Sequence, residues 1–322
     1  MSRANHAVIA ADTLPADRLP SRAAVASACL ELAKPGITRL VTITAVGGFA
    51  LRAATDAATP AIAYIVPLLG CALGVALASA GGNALNMWHE AALDARMNRT
   101  AGRPLPTGRL RGSTAFAFGV WTTLAGTLLV AVTGSAIAGA LTLLSAALYV
   151  LVYTPLKVRT PWSTLVGAVP GALPPLIGAA AAHPGAGFGP VTDPIGLSLF
   201  GLMVVWQLPH FMAIATMHRD DYAAAGMRML PVVAPDGRST RLVTRLTAVL
   251  LIPAAAAPAL ATPLLGWPYA AIAVSTSAAF AAMTFGLTPR RATPKSVFLA
   301  SIAHLPLLML AMVAESVART LL

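Results

Sequence analysis

The chain has 322 residues, 57% of them apolar and only 10% charged, with a mean hydropathy of +0.76. Soluble domains carry about a quarter charged residues, so this composition excludes a soluble enzyme, a disordered chain and a nucleic-acid-binding domain. The 22 Lys and Arg exceed the 11 Asp and Glu, a surplus that in so apolar a chain is first a matter of membrane topology.

Residues 1–30 contain no long apolar run, and their arginines are spread among acids such as Asp12 and Asp17. That is neither a signal peptide nor a span; the reading is a mobile tail ahead of a single transmembrane domain over 31–322. Nine apolar runs follow, at about 40–55, 61–87, 113–133, 136–154, 162–182, 194–217, 246–263, 267–287 and 297–318. Each approaches the roughly 20 residues that cross a bilayer as a helix, and the alternating polarity of a membrane β-barrel is missing. The expected fold is an all-α polytopic bundle. Cys29 and Cys71 stand apart in the sequence and imply neither a disulfide framework nor a thiolate metal site.

With the N-terminus inside, 20 of the 22 Lys and Arg fall on inner segments, and only Arg52 and Arg319 lie outside. That bias accounts for the basic charge without nucleic acid. Two inner loops, about 88–112 and 218–241, hold five of the 11 acids: Glu90, Asp94, Asp220, Asp221 and Asp236. Function is to be sought there.

At the first loop, Asn86, Glu90 and Asp94 recur every four residues, which on a helix makes one oxygen-rich stripe. Hard oxygen donors suit Mg²⁺ bridged to a phosphate, and Arg99 and Arg103 follow within reach of the same anion. The plainer alternative is carboxylates that only pair with arginines at the membrane surface. Carboxylates at the end of an apolar helix are costly, which favours function. The second loop carries Trp206-Gln-Leu-Pro-His210-Phe, then His218-Arg-Asp220-Asp221-Tyr222. Of the two neighbouring aspartates only one can face a given point, and Asp221 is preferred over Asp220. Lys157 and Arg159 lie in a short inner loop and serve either the anion pocket or topology. Gly167, Gly171, Pro174, Pro175 and Gly178 in the next span allow close approach of a helix or a flat ligand. His210 lies at membrane depth, where it touches a porphyrin, ligates iron, shuttles a proton or simply packs. Two acid-rich helix ends with arginines on one face make a diphosphate site, with an apolar bundle behind it to shelter a hydrocarbon tail and a carbocation.

These blocks resemble the UbiA superfamily of intramembrane prenyltransferases. The matching segments are LAKPGITRL from Leu32 to Leu40, the run from Asn86 to Arg109, YTPLKVRTP with GALPPLIG, and WQLPHF followed by DDYAAAGMRMLPVV. WQLPHF and MNRTAGRPLP are similar to the branch of that superfamily that modifies heme. The resemblance implies transfer of a farnesyl group from farnesyl diphosphate to a vinyl group of protoheme IX, with diphosphate leaving. It implies that Asn86, Glu90, Asp94 and Asp221 hold Mg²⁺ and diphosphate. It implies that Arg99, Arg103, Lys157 and Arg159 neutralise the phosphates, and that Trp206, His210, Asp220 and Tyr222 contact substrate. Two positions depart from the family: Ala92 stands where a third acid is usual, and His218 where an arginine is usual. The implied setting is a bacterial inner membrane, with tail and site on the cytoplasmic side, or else the mitochondrial inner membrane. A downstream heme-modifying enzyme or terminal oxidase assembly is the implied partner. The rival readings are a quinone-ring or chlorin acceptor and, from another class, a membrane heme carrier. The charge split predicts that a cysteine at Gly108 is labelled from the inner face and one at Gly185 from the outer face. Labelling of both from one side would break the nine-span topology.

Overall fold

The computed structural model describes residues 21–183, 189–288 and 292–321. Residues 1–20, Gly185, Arg290 and Arg291 lie outside the described residues. The helices are α1 (Arg22–Leu32), α2 (Pro35–Ala53), α3 (Ala61–Asp94), α4 (Gly112–Thr133), α5 (Ala136–Leu156) and α6 (Ser163–Ala181). After these come α7 (Pro194–Met217), α8 (Arg219–Ala224), α9 (Arg238–Ala261), α10 (Trp267–Phe285) and α11 (Pro294–Leu321). No strand occurs among the described residues. Among the described residues, eight helices are long and apolar enough to cross a membrane. The remaining expected span forms as α2, which carries Arg39 and Arg52 near its ends. Its 19 residues reach about 28 Å, close to a hydrocarbon thickness of about 30 Å.

Residues 22–30, expected to belong to a mobile tail, are helical. Ser21 caps α1 by accepting from Ala24 N at 3.2 Å, and Ala28 and Leu32 are buried against Ala84, Met87 and Leu110. A capped helix with an apolar stripe therefore begins at residue 22, even though its sequence is too polar to read as a span.

α6 lies at the centre of the bundle, with most of its residues buried. It contains Pro170, Pro174 and Pro175, each of which leaves one carbonyl without its helical donor. Pro174 frees the carbonyl of Pro170, and Ser145 Oγ donates to that oxygen at 3.0 Å. This is how a neighbouring helix makes an intramembrane proline tolerable. On the α2 side the backbones touch: a Cβ on Gly178 would land on the Ala45 carbonyl, and one on Gly48 on the Pro175 carbonyl. α2 to α6 share one apolar cluster around Phe49, Cys71, Leu173 and Ile177. α7 and α9 to α11 share another around Trp206, Leu251, Tyr269 and Leu308. Cys71 is buried as the small apolar group its sequence context implies.

Both arginines that break the charge bias are neutralised. Arg52 Nε lies 3.0 Å from Asp193 Oδ2, joining the outer ends of α2 and α7. Arg319 Nε lies 2.8 Å from Glu315 Oε1 one turn earlier on α11. Each of these two arginines thus has a carboxylate partner.

The packing predicts opposite effects from two similar substitutions. Gly178→Ala forces α2 and α6 apart and lowers thermal stability in detergent by about 1–3 kcal/mol. Gly201→Ala on α7, where a Cβ meets nothing within 4 Å, leaves stability unchanged or raises it by roughly 0.5–1 kcal/mol. Equal melting temperatures for the two variants would contradict the close α2–α6 contact.

Candidate active site

α3 is 34 residues long, or about 50 Å, well beyond a hydrocarbon thickness of about 30 Å. Its inner end carries the oxygen stripe: Asn86, Glu90 and Asp94 are 1%, 4% and 1% exposed. Each of these side chains meets a cation. Lys34 Nζ donates to Asn86 Oδ1 at 3.1 Å, and Lys157 Nζ lies 2.8 Å from Glu90 Oε1. Arg103 Nη1 donates to both oxygens of Asp94, at 2.8 and 2.7 Å.

Local backbone geometry aims these groups. Lys34 is the only non-glycine residue at positive φ among the described residues, at 45°. That left-handed conformation costs on the order of 1–3 kcal/mol and turns the side chain from the start of α2 toward α3. In α5, residues Leu148–Tyr153 wind as a π-helix, a local irregularity common at functional sites. It lets Thr154 Oγ1 donate to Tyr149 O at 2.8 Å while accepting from Asn86 Nδ2 at 3.0 Å. Lys157 follows, its ammonium 4.6 Å from the Tyr153 ring centroid.

The electrostatics follow from three cations gathered around two carboxylates. Burial, then Arg103 and Lys157, push the Lys34 ammonium down to about 7, against the opposing pull of Glu90 and Asp94. Burial alone would lower Lys157 too, but Glu90, Tyr153 and Tyr149 outweigh it and hold that ammonium above its ordinary range. The cluster has one positive charge in excess when Lys34 is protonated, and an arriving anion favours that protonation. Glu90 Oε1 is buried without an aligned hydrogen-bond donor, its contact with Lys157 being an ion pair only. Among the described residues no three His, Cys, Asp or Glu side chains converge on one point. Oxygen donors of this kind, Asn86, Glu90 and Asp94, fit a hard cation completed by phosphate oxygens and water, as Mg²⁺ usually is.

The loop after α3 connects this cluster to the second acidic segment. Thr100 Oγ1 donates to Asp94 O at 2.9 Å, and Asn98 N donates to Asp221 Oδ1 at 3.2 Å. Arg99 Nη2 donates to Tyr222 Oη at 3.3 Å. Arg228 N donates to Lys157 O at 2.7 Å, drawing the segment after α8 over the same site. His218 stands where burial and Arg99 lower its basicity, with Asp221 opposing.

The structure sorts the sequence candidates into groups. Asn86, Glu90, Asp94, Arg103 and Lys157 come together, with Asp221, Tyr222 and Arg99 beside them across the 95–103 loop. Asp220 and Arg159 are exposed and have no side-chain partner among the described residues. Trp206 and His210 instead face α11, where Trp206 Nε1 donates to Ser301 O at 3.0 Å. The glycines of α6 are consumed by helix packing: Gly171 abuts Gln207, Gly167 the Tyr153 ring and Gly178 the α2 backbone. Sequence reasoning missed Lys34 as a site residue, although the Lys-Pro-Gly opening of α2 was visible.

The family model for the UbiA prenyltransferase family matches residues 40–304. A protoheme IX farnesyltransferase of Solibacter usitatus is 43% identical over 234 residues, covering 72% of this chain and 78% of the relative. One from Anaeromyxobacter sp. strain Fw109-5 is 38% identical over 304 residues, covering 93% of this chain and 97% of the relative. Among solved structures, one of a digeranylgeranylglyceryl phosphate synthase superposes with a TM-score of 0.72 at 17% identity, covering 91% of this chain and 98% of that one. A UbiA homologue from Archaeoglobus fulgidus bound to GPP and Mg²⁺ superposes with a TM-score of 0.62 at 14% identity, covering 90% and 99%. The two structures share the helical fold, and the sequence matches decide the relationship: this chain is a member of the UbiA prenyltransferase family.

Proposed function

We propose that this chain transfers the farnesyl group of farnesyl diphosphate to a vinyl group of protoheme IX, giving heme O and releasing diphosphate. The observation that carries the reading is the buried inner-end cluster of Lys34, Arg103 and Lys157 around Glu90 and Asp94. The names of the relatives at 36–44% identity support the acceptor.

In this reaction the C1–O bond of farnesyl diphosphate breaks and diphosphate leaves with the electron pair. C1 joins the vinyl carbon, and water captures the resulting cation, losing one proton to become the hydroxyl. Lys34, Arg103 and Lys157 neutralise the charge that develops on the leaving oxygen, and they do so in a low-dielectric site where such stabilisation is strongest. Asn86, Glu90, Asp94 and Asp221 are the oxygen donors that would hold Mg²⁺. When bound, the metal acts as a Lewis acid on the diphosphate. Apolar helices behind the site keep water from the allylic cation until it is captured. The charge split supports a site on the cytoplasmic side of the membrane, and the organisms of the relatives support a bacterial inner membrane, where heme O is released to a downstream heme-modifying enzyme or terminal oxidase assembly.

The direct test supplies purified protein with farnesyl diphosphate, Mg²⁺ and heme, a quinone-ring acceptor or a chlorin in parallel, and reads products by mass spectrometry. Farnesylated heme alone is the expected product; prenylated quinone or chlorin without it would replace the acceptor. Chelation of Mg²⁺ should stop turnover, and added Mg²⁺ should restore it.

Asp94→Asn and Glu90→Gln should each lower turnover by at least about 100-fold, because each removes a carboxylate that would hold the Mg²⁺ neutralising the leaving diphosphate. Both variants should still insert and elute as folded protein. A variant that keeps most of its Mg²⁺-dependent rate would remove that residue from the site.

A further inference from the structure

The charge cluster has a second polar layer beneath it. Asn83 precedes Asn86 on α3 by three residues, about 4.5 Å deeper along the axis, and is 3% exposed. Its Nδ2 donates to Ala33 O and to Thr38 Oγ1, each at 3.4 Å. The Ala33 carbonyl can only accept, so Nδ2 belongs on that side and Oδ1 faces α5. There Tyr149 Oη donates to Asn83 Oδ1 at 3.5 Å. Ser79, a turn deeper again on α3, sets its Oγ 3.4 Å from Thr38 Oγ1. The helices that gather Lys34, Asn86 and Thr154 into one layer thus gather Thr38, Asn83 and Tyr149 into the next.

Two features set this layer apart from ordinary packing. Every side-chain bond to Asn83 is 3.4 or 3.5 Å long, where such bonds usually measure about 2.7–3.2 Å. A buried amide met so loosely gains from a small hydrogen-bonding molecule between its partners. Thr38, Ser79 and Tyr149 are only half-buried, so they keep surface open to a molecule the size of water. A water bound here finds Asn83 Oδ1 and Tyr149 Oη as acceptors for its two protons. Its own lone pairs then stay free to react.

The proposed reaction makes two opposite demands on water. The allylic cation must be kept from it, yet one water must reach the cation left on the vinyl group once C1 has joined it. With the diphosphate on the first layer and the hydrocarbon chain in the bundle, C1 and its new bond lie at the depth of the second layer. We propose that Asn83 and Tyr149, backed by Thr38 and Ser79, hold the water that becomes the product hydroxyl. The inference rests on the farnesyl transfer to heme proposed above. The water oxygen bonds to the vinyl-derived carbon with a lone pair, one of its O–H bonds breaks, and the proton ends on the departing diphosphate. Neither an amide nor a phenol keeps an extra proton at neutral pH, so the two residues place the water and are not its base. A single held water reconciles a dry site with a hydroxylated product.

The test gives purified wild type, Tyr149→Phe and Asn83→Leu farnesyl diphosphate, Mg²⁺ and heme, and reads the products by mass spectrometry. A vinyl-derived cation that meets no water loses a proton instead and ends as an alkene, one water lighter than the alcohol. Wild type should form the alcohol almost alone. Each variant should raise the ratio of alkene to alcohol by about 10-fold or more, the effect of one good hydrogen bond. Affinity for a non-hydrolysable farnesyl diphosphate analogue should stay within a few-fold, and thermal unfolding checks that each variant is folded. Tyr149→Phe removes a single oxygen atom, so it carries the test even where Asn83→Leu does not fold. An unchanged ratio in either folded variant would overturn the proposal, whatever the rate, because a purely structural role moves rate and not ratio. A wild type that yields only alkene would overturn it too, with farnesyl transfer left standing. A wild type that forms no farnesylated heme would instead refute the proposed reaction, and this inference with it.

Discussion

A carboxylate taken out of water at the end of an apolar helix costs several kcal/mol unless a cation meets it. This chain places two on one stripe of α3. Only 10% of its residues are charged, yet Lys34, Glu90, Asp94, Arg103 and Lys157 gather at one inner end of the bundle. Removing either member of the Glu90–Lys157 or the Asp94–Arg103 pair leaves a buried charge uncompensated, so α3 depends on α5 and on the 95–103 loop. The excess of one cation means the cluster satisfies its own carboxylates and still attracts an anion.

The remaining architecture serves to bring Arg103 and Lys157 into ion pairs with Asp94 and Glu90, and Lys34 onto Asn86 beside them. Lys34 reaches Asn86 because α2 begins in a left-handed turn and packs along α3. Lys157 reaches Glu90 because α5 winds through a π-helix before it ends. The close backbone contact of Gly48 and Gly178 between α2 and α6, and the Ser145 bond that repairs the Pro174 gap, hold the central helix rigid behind the site. On the outer side Arg52 with Asp193 and Arg319 with Glu315 are locally neutral.

The parts legible in the sequence were those with a local signature. Apolar runs located the spans, and the four-residue spacing placed Asn86, Glu90 and Asp94 on one face, because helical periodicity is a short-range property. Lys34 was read as an inner cation and as part of the LAKPGITRL segment but not as a site residue, since its partner is 52 residues away and no local pattern links them. The tail was read as running to residue 30 because α1 is too short and too polar to register as a span, although its stripe is enough to dock. The second acidic segment was seen, but which aspartate faces inward depended on the Asn98 amide, which sequence does not place.

The central claim is that the net-positive cluster is where a prenyl diphosphate binds. It is tested most directly by calorimetric titration of the purified protein with a non-hydrolysable farnesyl diphosphate analogue, with and without Mg²⁺, comparing wild type with Lys34→Ala. Lys34 is the informative position because its removal leaves both buried carboxylates paired. The account predicts Mg²⁺-dependent binding that weakens by about 10-fold or more in Lys34→Ala, the equivalent of about 1.4 kcal/mol for one lost charged contact. Equal affinity in the two proteins, or binding indifferent to Mg²⁺, would contradict it.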